Sequence, residues 1–146
     1  MMRRHTAFYM STLFLLLLFM GVLAVLTGVF SQAQKKSAEA KQLTAATELA
    51  RNAAEAVADA GSRADLLTLL QESGNAAMDG ETVCASYDEE LRPSAAGIYR
   101  VSITYEPTAR IGGTLVNSTV TVRMGENPEA ICSLSTAVYI RGERAG

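Results

Sequence analysis

One uncharged stretch of this 146-residue chain constrains its fold more than any other feature. Residues 7–30 contain no Asp, Glu, Lys, Arg or His, and every residue at positions 13–19 is Leu or Phe. As a helix rising about 1.5 Å per residue, residues 8–30 would span roughly 35 Å, enough to cross a hydrocarbon core of about 30 Å. The rest of the chain is too short and too polar to bury such a helix. We therefore expect residues 8–30 to form a transmembrane helix in contact with membrane lipid.

Basic residues flank this segment on both sides. The cluster before it, residues 3–5, is short and purely basic, whereas the later lysines at positions 35, 36 and 41 are diluted by Glu39. Because cytoplasmic flanks carry the excess of positive charge, we expect the N-terminus in the cytoplasm. The sequence then predicts a single-pass inner-membrane protein whose C-terminal domain lies outside.

A cleaved secretory signal is the alternative interpretation of the same segment. Ser31, Gln32 and Ala33 form a small-x-small pattern that would place a cut after Ala33. The apolar run is longer than the usual signal core of about 7 to 15 residues, which favours the membrane span.

The helix is predicted to continue beyond the membrane as far as Ala60. Neither proline nor glycine occurs at positions 30–60, and alanine is the commonest residue there. Apolar side chains recur at steps of three and four, at Leu43, Ala46, Ala50, Ala53, Ala54 and Val57. This pattern predicts an amphipathic helix with a narrow apolar stripe.

Gly61 then supplies a C-cap, and Ser62 with Asp65 forms a capping box that opens a short leucine-rich helix. The predicted organisation is a leader or cytoplasmic flank at 1–7, a transmembrane helix at 8–30, its amphipathic continuation at 31–61 and an exported domain at 62–146.

From residue 82 onward the pattern changes to alternation of apolar and polar residues, which is typical of strands. A weak first strand runs from Val83 to Tyr87. Three more carry apolar rows at Tyr99, Val101, Ile103 and Tyr105, at Val116, Val120, Val122 and Met124, and at Leu134, Val138 and Ile140. Pro107 with Gly112 and Gly113, and then residues 125–128, are predicted to break these runs. The expected fold class is α+β, with a long N-terminal helix packed through its outer half on a small antiparallel sheet of about four strands, and one short extra helix.

The residue inventory argues against catalysis and against a cofactor. His5 is the only histidine, and it lies in the basic flank. We find no glycine-rich phosphate loop and no metal-ligand spacing, so we expect neither a cofactor nor a metal, and no small-molecule substrate. The net charge of −2 gives no reason to expect nucleic acid as a partner.

Two cysteines, Cys84 and Cys132, fall in the first and last predicted strands. Outside the cytoplasm they can pair as a disulfide, and two buried free thiols are the equal alternative.

The order of these parts resembles the type IV pilin and pseudopilin family. The shared features are a short basic leader, an apolar helix beginning at Ala7 and Phe8, its alanine-rich continuation and a C-terminal antiparallel sheet. The resemblance implies that a leader peptidase cuts between Ala7 and Phe8 and that Phe8 becomes the methylated mature N-terminus.

Two positions depart from the usual motif of that family. Glycine is usual before the cut, where this chain has Ala7, and glutamate is usual at the fifth mature position, where it has Thr12. Minor subunits at a filament tip can lack the glutamate. The resemblance therefore implies a minor pilin or pseudopilin of a type IV pilus or type II secretion-like filament, with other pilin-like subunits as partners through the N-terminal helix.

An apolar helix of this kind can pass from lipid into a bundle of related helices without exposing apolar surface to water. Gly21 and Gly28 are candidate close-approach points in such a bundle, or ordinary transmembrane glycines. Two other classes stay open: a membrane-anchored binding module that keeps residues 1–4, and a secreted soluble protein that begins near Gln34.

Overall fold

A computed structural model of the chain describes residues 2–72 and 74–142. The chain divides into two compact units, Met1–Lys41 and Gln42–Gly146. Two helices precede five strands, and their bounds are α1 (Met2–Asp59), α2 (Arg63–Glu72), β1 (Ala76–Asp79), β2 (Thr82–Tyr87), β3 (Tyr99–Arg110), β4 (Gly113–Met124) and β5 (Ala130–Arg141). The predicted α+β class, the long N-terminal helix and the short extra helix are confirmed.

The strands form one antiparallel sheet in which each strand lies beside its neighbour in sequence. The sheet has five strands where the sequence predicts about four, and the additional one is β1. A two-residue loop joins β1 to β2, because Asp79 pairs with Thr82, and Gly80 in that loop has a φ of 62°. Glycine adopts this left-handed conformation without the strain that a Cβ would add.

The core of the second unit lies between one face of the sheet and the end of α1. The predicted row on β3 is buried in full, as are the valines of β4. From the stripe that the sequence predicts, the helix buries Ala46, Ala50, Ala53 and Val57, and it buries Leu49 beside them. Small side chains let a helix backbone approach a sheet closely, which suits an alanine-rich stripe.

The predicted stripe needs correction at Leu43, Ala54 and Leu49. Ala54 is only partly buried and does not belong to the core. Leu43 is 51% exposed, because the buried stripe begins only at Ala46. Leu49 belongs to the core, although the predicted stripe leaves it out. Leu49 lies three residues after Ala46 and directly before Ala50, so its burial widens the narrow stripe that the sequence predicts.

Pro107 does not end β3, contrary to the sequence prediction. The strand continues through it to Arg110, and Pro107 pairs with Val116 of β4. On its other side β3 pairs with β2 only as far as Thr104. Pro107 therefore lies where β3 has one unpaired side, and proline is tolerated in strands at such edges.

At the junction between α1 and α2 the predicted N-cap at Ser62 is confirmed, whereas Gly61 does not adopt the positive φ of a glycine C-cap. The Ser62 Oγ accepts a hydrogen bond of 3.2 Å from the backbone N–H of Asp65, which satisfies one of the free donors at the start of α2. Leu66 and Leu70 are buried in the core, whereas Leu69 on the other side of α2 is exposed. The leucines thus attach α2 to the sheet.

Candidate functional site: the uncovered apolar helix

The most unusual surface of this chain is the N-terminal half of α1. Every large apolar side chain at positions 8–30 is at least 45% exposed, and no residue in the described ranges 2–72 and 74–142 covers the most apolar part of the helix. Soluble monomers rarely expose contiguous apolar patches of more than a few hundred Å². The helix is long and apolar enough to cross a membrane, and it lies near the N-terminus.

Two threonines in this segment satisfy their hydroxyl groups within the helix. The Thr12 hydroxyl donates to the Phe8 carbonyl at 2.9 Å, and the Thr27 hydroxyl donates to the Leu23 carbonyl at 2.8 Å. Transferring a hydroxyl group into hydrocarbon without a hydrogen-bond partner costs roughly several kcal/mol of free energy. The two hydrogen bonds within the helix remove that cost. Thr12, the residue at the predicted fifth mature position, is thus compatible with an apolar surrounding.

Ala7 and Phe8, the predicted cleavage pair, lie within α1 and are both exposed. The Phe8 ring packs edge-on against Tyr9, with ring centroids 6.3 Å apart. The cut between Ala7 and Phe8 stays a prediction.

Among the residues that the structure describes, none from outside the helix packs closely against Gly21 or Gly28. A Cβ placed at either position would meet no atom within 4 Å, and neither residue has a positive φ. Glycine inside a helix costs about 1 kcal/mol relative to alanine. Each glycine therefore leaves a notch in the helix surface that the isolated chain does not fill.

The two cysteines are free and lie far apart in the sheet. Cys84 on β2 pairs with Ser102, and Cys132 on β5 pairs with Val122, a residue of the core face. Strands β3 and β4 separate them, and the alternation of side chains places them on opposite faces. Neighbouring strands are about 4.8 Å apart, so three spacings far exceed the reach of a disulfide. Of the two alternatives that the sequence leaves open, an intramolecular disulfide does not fit this sheet.

A cavity of about 360 Å³ opens beside the start of α2 and is lined by Gly61, Ser62, Arg63, Tyr105, Pro107, Thr114 and Ile140. The Arg63 guanidinium donates through Nη2 to the Tyr105 carbonyl at 2.8 Å, while its Nε is buried without a partner. Burial raises the pKa of the Tyr105 phenol, Asp65 raises it further, and Arg63 opposes the rise. Sequence patterns gave no sign of the Arg63 contact, because its partner lies 42 positions away.

Within residues 2–72 and 74–142, no group of three or more His, Cys, Asp or Glu side chains could hold a metal ion.

No protein-family model, curated protein or solved structure matches this chain. What the structure provides is a pilin-like architecture: a long apolar N-terminal helix that continues into a helix packed on an antiparallel sheet.

Proposed function

We propose that this chain is a structural, non-enzymatic subunit of a filament of the type IV pilus or type II secretion kind, and specifically a minor pilin or pseudopilin. It would be held in the inner membrane by residues 8–30, with its N-terminus inside, until it assembles through the same helix. The observation that carries the proposal is the fully uncovered apolar half of α1.

The apolar half of α1 needs either lipid or protein neighbours. Burying it in a bundle of similar helices exchanges lipid contacts for side-chain contacts at little cost, because both environments are apolar. The internal hydrogen bonds of Thr12 and Thr27 hold in either environment. The segment is thus suited to residence in a membrane and to later transfer into a filament core.

The outer half of α1 supports a structural role in a different way. It continues from the apolar half without a break and supplies its small stripe to the core of the sheet unit. A helix that is both the membrane segment and part of a folded unit carries that unit wherever the apolar half goes. Filament assembly uses this property to display subunits along an axis.

The first test is mass spectrometry of the mature N-terminus from membrane and extracellular fractions. We expect the chain to begin at Phe8 with one added methyl group, since the predicted leader ends at Ala7. A start at Met1 or Met2 would contradict the proposal and indicate a static membrane anchor. A start near Gln34 would contradict it in favour of a secreted sheet domain.

Replacing both notch residues, as in Gly21→Leu with Gly28→Leu, is expected to reduce incorporation into filaments about tenfold. The added side chains fill the notches through which a neighbouring helix would approach. Membrane insertion should persist, because leucine favours insertion and is a better helix former than glycine by about 1 kcal/mol or less. The measurement is the ratio of chain in sheared filaments to chain in membranes, by quantitative immunoblot.

Leu26→Phe is the control for that experiment, because it adds bulk to the same apolar helix about 140° around from Gly21. It should leave the filament fraction unchanged. Equal incorporation of the double leucine variant and the wild-type chain would show that the two glycines have no role in assembly.

A further inference from the structure

Within the described part of the chain, three stretches of the sheet lack a partner strand on one side, and two of them are protected. β1 has only four residues, ends at Asp79 and lies against α2, from which the Gln71 Nε2 donates to the Ala76 carbonyl at 3.4 Å. The end of β3 beyond Thr104 carries Pro107 and has its Tyr105 carbonyl bonded by Arg63. Short strands, prolines, charges and covering side chains are the usual means of blocking an edge against other chains.

The third edge, β5, lacks these protections over nearly its whole length. It has 12 residues, and positions 130–140 contain no charged residue and no proline. In the part of the chain that the structure describes, β4 is its only partner strand. A bulge interrupts the pairing near Ile131, and the register is regular from Cys132 to Arg141. A long, uncharged edge of this kind is a template for pairing with another strand.

The side chains of β5 are also incompletely covered. Its core-side row includes Leu134, which is 39% exposed, although its partner Val120 on β4 is fully buried. On the opposite face Tyr139 is 50% exposed. One more strand beside β5 would cover the outer side of this row in the way that β5 covers β4.

We propose that β5 is an interface that pairs antiparallel with β5 of a second copy of this chain, which joins two sheets into one of ten strands. A two-fold axis through Ser135 places Leu134 opposite Thr136, and Cys132 opposite Val138, on the core side. Each pair contains one β-branched residue, Thr136 or Val138, which favours strands, and neither pair contains a charge.

Charges at the two ends of β5 fit the same register. Glu129 precedes the strand and Arg141 ends it. In antiparallel self-pairing centred on Ser135, Glu129 of one copy lies within about one residue of Arg141 of the other, and the two-fold axis repeats the pair at the other end. Opposite charges at both ends, with none between, favour a second copy in this register over a parallel pairing, which would bring like charges together.

This interface is independent of how the N-terminus is processed. A pair of edge strands buries too little surface for a tight complex in dilute solution. It becomes effective when both copies are held at a high local concentration, for example by membrane or filament residence of residues 8–30. The edge then adds a contact between sheet units to whatever contacts the helices make.

The test is cysteine crosslinking of the full-length chain in the membrane, in a background with Cys84→Ser and Cys132→Ala. With Ser135→Cys, mild oxidation is expected to convert the chain to a species of twice its 15.5 kDa mass on non-reducing gels. Facing residues of paired strands have Cβ atoms about 5 Å apart, close to the separation in a disulfide. The expected yield is at least about fivefold above that of the control described next.

Thr119→Cys is the matched control, because Thr119 is exposed, pairs with Ser135 and lies on the same face one strand further in. Its two copies would be about 14 Å apart in the proposed dimer and should stay monomeric. A mixture of Ser133→Cys and Ala137→Cys chains should crosslink better than either variant alone, which checks the register. Unchanged thermal unfolding would show that the substitutions leave the fold intact.

Equal crosslinking of the Ser135→Cys and Thr119→Cys variants would overturn the proposal, since it would indicate random collision of chains held together by their helices. Failure of Ser135→Cys to dimerise would also overturn it. Neither result bears on the filament proposal, because the mature N-terminus is read from the same samples by mass.

Discussion

Val101→Asp is expected to abolish stable folding of the sheet unit. Val101 is buried in β3 between Ala85 of β2 and Val122 of β4, which are buried as well. An unpaired carboxylate placed there loses its hydration and gains no partner, at a cost of several kcal/mol, of the order of a small domain's entire stability of roughly 5 to 15 kcal/mol. Hydrogen exchange of the full-length chain in detergent should show lost protection in the strands, while residues 8–30 stay protected.

The pH dependence of this variant has a definite sign. Burial raises the pKa of the new carboxyl in the folded state above its unfolded value of about 3.9. The folded state is therefore penalised least below about pH 3.9, and the penalty grows as pH rises from there to the raised pKa, above which it is constant. Some protection should return under mildly acidic conditions.

Thr119→Asp provides the control, because it adds the same acid to the exposed face of the neighbouring strand. We expect a change of about 0.5 kcal/mol or less. If Val101→Asp left strand protection unaltered, the assignment of the β3 faces would be wrong.

Ala7→Arg is expected to block leader removal while leaving membrane insertion intact. A peptidase that requires a small residue before its cut cannot accept a long charged side chain there. Ala7 lies at the edge of the apolar segment, where an added cation extends the basic flank and agrees with the positive-inside rule. Mass spectrometry of the membrane fraction should find chains that start at Met1 or Met2, and almost none that start at Phe8.

Thr6→Arg serves as the matched control, because it adds the same charge one position earlier and leaves Ala7 in place. It should be processed as the wild-type chain is, and Ala7→Gly at least as well. A start at Phe8 in the Ala7→Arg variant would refute the proposed cut.

The parts of the fold that the sequence predicts well are those with strong periodicity. Alternation along β3 identifies its buried face correctly, and the Ser62 and Asp65 pair marks the start of α2. β1 is missed because four residues are too few to show a period of two, although Gly80 followed by one residue before Thr82 is a recognised hairpin signal. A sequence pattern predicts a helix or strand only where the element is long enough for its periodicity to repeat, and a four-residue strand is too short for that.

Other differences arise from distant contacts. Whether Pro107 ends a strand depends on where β2 stops pairing with β3, which no local pattern records. The tie between Arg63 and Tyr105 joins residues far apart in sequence. The apolar helix of the candidate site needs no such contacts, so composition alone predicts it. The free edge of β5 appears only when the strand order is known.

That strand order also has a kinetic consequence. Each strand after β1 pairs with the strand made just before it, so each hairpin can close as soon as its second strand leaves the ribosome. Residues 42–59 are synthesised before the strands, but they can bury their apolar stripe only when the core residues of β3 and β4 have been made. The sheet can then grow in one direction, from β1 to β5, and at each stage the newest strand has an unpaired edge with which the following strand can pair. Of the described strands β5 joins last, and its outer side is the edge that we propose as an interface.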